Sequence, residues 1–96
     1  MPVDAGDGWP GGGADAVPCV LVRIRNESNV RRYYLLDLQD NLFGGVTLVR
    51  EWGRLGGGGQ RRLVFFDERQ KAVRAAASLA RAKIRRGYRQ VAGLPV

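Results

Sequence analysis

The sequence predicts a two-layer α+β domain, four or five antiparallel strands with a single long helix on one face. Three observations carry this. Apolar residues recur with strand-like periodicity up to Phe66 and with helical spacing from there to Arg86. The segments between successive strand-like runs are short, which makes the pairing antiparallel. The chain has 96 residues, 45% of them apolar, enough for one small core and too few for a second.

Each element follows from its residues. Residues 1–18 (MPVDAGDGWPGGGADAVP) hold five Gly and three Pro and little that could be buried. Ordering them would cost entropy without return, so a flexible leader is expected, with Trp9 as an isolated aromatic. The folded part is expected over residues 19–92, with 93–96 as a tail. Residues 20–25 (VLVRIR) pass from an apolar run into alternation and are followed by the turn formers Asn26, Glu27, Ser28 and Asn29. In the second strand, 31–39 (RRYYLLDLQ), Tyr34, Leu36 and Leu38 share one face, and Tyr33, Leu35, Asp37 and Gln39 the other.

Asp40 and Asn41 open a turn that Gly44 and Gly45 close, with Leu42 and Phe43 tucked beneath it as a small cap. A third strand runs from Val46 to about Leu55, four glycines (56–59) make a hairpin tip, and 61–66 (RRLVFF) returns as the fourth strand. Asp67 is placed to cap a helix, with Gln70 three residues on as in a capping box. The stretch to Arg86 is rich in Ala, Arg, Leu and Lys, giving a helix of about 20 residues. Val73, Ala76, Ala77, Leu79, Ala80 and Ile84 form its core-facing stripe, Gly87 terminates it, and residues 88–91 return as a short last strand.

Charge narrows the function. Sixteen Lys and Arg oppose nine Asp and Glu, a net +7. Three of those acids (Asp4, Asp7, Asp15) lie in the leader, so residues 20–96 set sixteen basic residues against six acidic ones, +10. Such a surface attracts a polyanion, nucleic acid or an anionic membrane. Fourteen of the bases are Arg, suited to bidentate phosphate contacts, although GC-rich coding enriches Arg, Ala and Gly as well. A membrane-surface helix wants bulky apolar residues where this one has mostly Ala, and no apolar run approaches the roughly 20 residues of a membrane span. The N-terminus lacks a secretory signal pattern. With no His and a single Cys, neither a metal site, a cofactor nor an intrachain disulfide is expected; a reducing, cytoplasmic setting is compatible.

Three constellations stand out. Arg50, Trp52 and Arg54 share one side of the third strand, an aromatic plane flanked by two guanidinium groups. The indole can stack on a sugar or base while the arginines hold phosphate oxygens; the alternative is a core tryptophan with arginines snorkelling past it. On the helix, Arg74, Ser78, Arg81 and Arg85 form a ridge opposite the apolar stripe, with Arg86 and Arg89 beyond, either a phosphate track or a solvated face. Residues 56–59 join two strands and are followed by Gln60 and Arg61, which excludes a phosphate-binding P-loop. Catalysis is disfavoured, since the carboxylates are scattered and no base accompanies the serines.

The tripeptide Trp52-Gly53-Arg54, within 42–56 (LFGGVTLVREWGRLG), resembles the WGR domain found in poly(ADP-ribose) polymerases and in short bacterial proteins. The similarity extends over some seventy residues: RRYYLLDLQ, the aromatic Phe43 with glycines before the WGR strand, a glycine after it, Phe66 leading into a helix, and a closing KIRRGY (83–88). It implies a twisted antiparallel sheet with a helix across one face, and a DNA-binding module. The resemblance gives Trp52 a stacking role, Arg54 a phosphate or domain contact, and Gly53 a close backbone approach. Arg50 falls in the same run, and Lys83, Arg85 and Arg86 at the helix end are further candidates. The transferase domain of the polymerases is absent from this sequence, so no NAD chemistry carries over. The expected function is a non-enzymatic nucleic-acid-binding module that takes DNA before RNA, at ends or along the backbone. Docking on a protein partner is the alternative, and a divergent enzyme a remote third.

Overall fold

The computed structural model describes residues 19–42 and 44–92. The leader with Trp9, Phe43 and the tail lie outside the described residues. Five strands and one helix follow in the order β1 (Cys19–Arg25), a 3-10 turn (Asn26–Ser28), β2 (Val30–Asp40), β3 (Val46–Arg54), β4 (Gly59–Phe66), α1 (Arg69–Arg85) and β5 (Arg89–Ala92). The strands form one antiparallel sheet in the order β4-β3-β2-β1-β5. The chain leaves the sheet at the β4 edge, crosses one face as α1, and lands as β5 on the opposite edge. This is the expected α+β architecture.

The turns are set by a few residues. Asn29 adopts a left-handed conformation (φ 53°) and its N–H donates to the Asn26 carbonyl at 3.2 Å, closing the turn between β1 and β2. Between β2 and β3, Asn41 N–H donates to Gly45 O (3.0 Å) while Gly45 N–H donates to Asn41 Oδ1 (3.1 Å). Leu42 is not tucked beneath this turn: it stands 96% exposed, and the Asn41–Gly45 hydrogen bonds close the loop.

The core lies between the helix and the face of the sheet that carries Cys19, Leu21, Tyr34, Leu36 and Leu48, packed against Ala76 and Ala80. Small alanines let the helix sit close to the strands. Ala72, Ala76, Ala77 and Ala80 are its buried positions, Val73 and Leu79 pack at the margin, and Ile84, expected in the stripe, is 45% exposed. On the other face Leu63 and Phe65 of β4 remain exposed.

The first helix end departs from the expected pattern and the second follows it. The helix spans 17 residues rather than about 20, and its N-cap is Glu68, extended and without a side-chain cap. Asp67 pairs with Lys71 (3.0 Å) instead of closing a capping box. The C-terminus ends as the sequence indicates: Gly87 takes φ 100°, its N–H donates to Ile84 O (3.0 Å), and Tyr88 N–H donates to Lys83 O (3.1 Å). These two bonds are the Schellman pattern. They bring the Tyr88 ring to the Lys83 ammonium, 5.5 Å from ring centroid to Nζ, where such motifs usually make a hydrophobic contact.

Candidate nucleic-acid interface

The sheet register assembles the site. Because side chains alternate, Arg50, Trp52 and Arg54 of β3 all lie on the helix-covered face. Leu21, Tyr34, Trp52 and Gln60 form one row across four strands; Leu36, Arg50 and Arg62 form the next, and Arg23, Arg32 and Arg54 the row on the other side. Trp52 and Tyr34 stack at 5.9 Å between centroids with 27° between their planes. The Arg50 guanidinium lies over both rings, 5.6 Å from Trp52 and 5.9 Å from Tyr34, and its Nε–H donates to the Tyr34 hydroxyl at 2.8 Å. From the helix side the Lys83 ammonium sits 4.6 Å from the centre of the Tyr34 ring.

Trp52 is therefore neither free in water nor sealed in the core. It is half-buried, one side packed on Tyr34 and the core margin. Arg50 is half-buried beside it and held in place by Tyr34. Arg54 is exposed and turned away, its guanidinium donating to Asn29 O (3.2 Å) and Asn29 Oδ1 (3.3 Å), so it braces the β1–β2 turn in this state. Gly53 points to the opposite face. A Cβ there would come within 2.8 Å of Gly58 O and 2.9 Å of the Gly59 Cα, so in the fold its bareness makes room for the returning hairpin. Arg85 is exposed on the outer ridge with Arg74, Ser78 and Arg81, apart from the aromatic cluster.

Electrostatics sharpen this picture. Burial and the nearby Arg86, Arg50 and Arg32 charges hold the Lys83 pKa below the ordinary lysine value. Among the described residues, Glu51 pairs with Arg61 (3.3 Å) and accepts from the Tyr33 hydroxyl (2.9 Å) on the other face, Asp40 pairs with Arg69 (3.0 Å), and Asp67 with Lys71. Among the described residues, Arg32, Arg50, Arg62, Lys83 and Arg86 have no ion pair. The arrangement presents aromatic edges among uncompensated cations, suited to a polyanion with planar groups. Of the expected residues, Trp52, Arg50, Lys83 and Arg86 come together. Tyr34, Tyr88, Arg32 and Arg62 join them, although their motif signal is weak and only the cross-strand register places them.

The model of the WGR domain matches residues 17–93. The chain belongs to the WGR domain family. An uncharacterized protein, y4dW, of Sinorhizobium fredii is 41% identical over 73 residues, which cover 76% of this chain and 36% of that relative. The chain thus matches only about a third of the relative's length. No solved structure matches the chain. The family is a non-catalytic module associated with nucleic acid or with partner enzymes, and the WGR tripeptide itself lies on β3 at the margin of the cluster. Among the described residues no group of three or more His, Cys, Asp or Glu could hold a metal ion, and no helix is long and apolar enough to cross a membrane.

Proposed function

We propose that this WGR domain is a non-enzymatic module that binds nucleic acid, DNA in preference to RNA, on the helix-covered face around Trp52. The observation that carries the reading is Arg50 spanning the Tyr34–Trp52 stack with Lys83 beside it and no carboxylate paired to either. The exposed side of the indole meets a sugar or base, Arg50 and Lys83 meet the adjoining phosphates, and Arg54 adds a contact by leaving Asn29. The single buried Cys19 thiol suits a reducing cytoplasm.

The test is fluorescence anisotropy with a 5′-phosphorylated duplex end, a hairpin lacking free ends and an RNA strand, starting at low salt. The duplex should bind, and RNA more weakly; absence of binding at low salt refutes the reading. Trp52→Ala should cost about 1–3 kcal/mol of affinity through lost stacking, measured on protein shown by circular dichroism to be folded. Unchanged affinity rejects stacking. A second reading, docking on a protein partner, is favoured by Leu63 and Phe65, 50% and 70% exposed on the helix-free face. An apolar interface of that kind would tolerate salt that dissolves a phosphate contact.

A further inference from the structure

One row of the sheet carries a charge arrangement that the nucleic-acid reading does not require. Arg23 of β1 and Arg32 of β2 are direct cross-strand neighbours on the helix-covered face, and Arg54 follows Arg32 on β3. Like charges set directly opposite in an antiparallel pair destabilise it. Arg54 escapes by reaching Asn29. Arg23 and Arg32 do not: among the described residues neither side chain has an ion pair or a hydrogen bond, and Nε of Arg23 is buried without a partner.

The surroundings add further cations and a second unpaired donor. Gly87, at the helix C-terminus, lies directly over Arg23: a Cβ on it would meet Arg23 Nε at 3.4 Å. Lys83 and Arg86 stand on the same turn, close enough to Arg32 and to each other that both arginine charges weigh on the lysine. Gln90 of β5, in register with Leu21 one row away, holds a second buried amide nitrogen, Nε2, without a partner. A buried donor left unpaired is costly, and a fold does not ordinarily keep two of them beside opposed charges.

We infer that Arg23, roofed by Gly87, joins Arg32, Lys83 and Arg86 at the flank of the Trp52 cluster to form a phosphate-binding site. An anion there turns the Arg23–Arg32 repulsion into two charge-assisted contacts and supplies an acceptor to the corner that holds the unpaired donors. The phosphate has two sources, a free small phosphate or the backbone of a nucleic acid seated on the Trp52 cluster. The site shares Arg32, Lys83 and Arg86 with the proposed interface, and inorganic phosphate tests it in the absence of nucleic acid.

The experiment uses the full chain and inorganic phosphate as the probe. Arginine Nε–H resonances are followed by NMR during titration against chloride at matched ionic strength, and thermal midpoints are recorded in parallel. The Arg23 Nε–H signal should shift with phosphate and hold still with chloride, and the midpoint should rise. Arg23→Gln should weaken phosphate binding about tenfold, the loss of one charge-assisted hydrogen bond. Arg32→Gln, at an exposed position and so safe for folding, should raise the midpoint in the absence of phosphate and abolish the phosphate-induced rise. Equal response to chloride, or an Arg32→Gln protein that is less stable without phosphate, overturns the inference. Duplex titration of Arg23→Gln then assigns the source: weakened duplex binding points to the backbone, unchanged binding to a free phosphate, and each presupposes the site. A chain that binds phosphate but no duplex would sink the proposed function and leave this site standing.

Discussion

The salt dependence of nucleic-acid binding tests the interface more closely than affinity does, because it counts cations. Five basic side chains around the aromatic stack, Arg32, Arg50, Arg62, Lys83 and Arg86, have no ion pair among the described residues. Five phosphate contacts give log affinity a slope of about −4.5 against log salt, so raising salt from about 50 to about 200 mM should weaken binding about 500-fold. Replacing Arg50 by Gln removes one contact, bringing the slope to about −3.6 and the loss to about 150-fold. Arg61→Gln is the control: Arg61 carries the same charge but is paired with Glu51 on the opposite face, so its loss should leave the slope unchanged. The assay is duplex anisotropy across a salt series for the three proteins. A wild-type slope shallower than about −2, or equal effects of Arg50→Gln and Arg61→Gln, would mean that bulk charge and not this cluster governs binding.

Other consequences are simpler to state. Gly59→Ala should destabilise the fold by about 1–3 kcal/mol, since the new methyl runs into the Tyr33 hydroxyl and approaches the Trp52 carbonyl at 3.0 Å, whereas Gly58→Ala meets nothing within 4 Å and should be near neutral; urea denaturation separates them. Burial pushes the Cys19 thiol up to about 11, so at pH 8 only about a thousandth is thiolate, and iodoacetamide should label it only as fast as the protein unfolds. Rapid labelling of the native chain would contradict its place in the core. Lys83 is held below the ordinary lysine value, so its charge opposes folding at neutral pH. The penalty fades as pH rises through the folded pKa, where the native state loses the proton first, and is gone above about 10.5. The stability of the wild type relative to Lys83→Met should therefore climb between neutral pH and about 10.5, and a falling difference would contradict this.

Much of the fold is legible in the sequence because period and turn chemistry are local. The alternation in RRYYLLDLQ places Tyr34, Leu36 and Leu38 together, and all three face the helix; Gly87 ends the helix because only a left-handed residue closes that Schellman turn. What escapes local reading depends on partners. Asp67 satisfies the capping pattern, yet the helix begins two residues later and Asp67 meets Lys71. Leu42 is apolar but finds no cavity. Spacing puts Arg54 beside Trp52, but Asn29, 25 residues earlier, draws its guanidinium away. Tyr34 and Arg32 become part of the candidate site through the pairing of β2 with β3, and that register is not written in either strand alone.

The same register explains how a domain with an excess of ten positive charges over residues 20–96 concentrates them. On β3 the alternation that sends Arg50, Trp52 and Arg54 toward the helix sends Glu51 to the opposite face, where Arg61 and Tyr33 occupy it. On β2 it does the same with Asp37, whose carboxylate accepts from Leu38 N–H (2.9 Å) and Gln39 Nε2 (3.3 Å). A slip of one residue in β3 would carry Glu51 into the cluster and Arg50 and Arg54 out of it, with net charge unchanged. Composition alone therefore cannot produce the cationic face. It requires the pairing of Tyr34 with Trp52, so the stack that orients the indole also fixes which charges surround it.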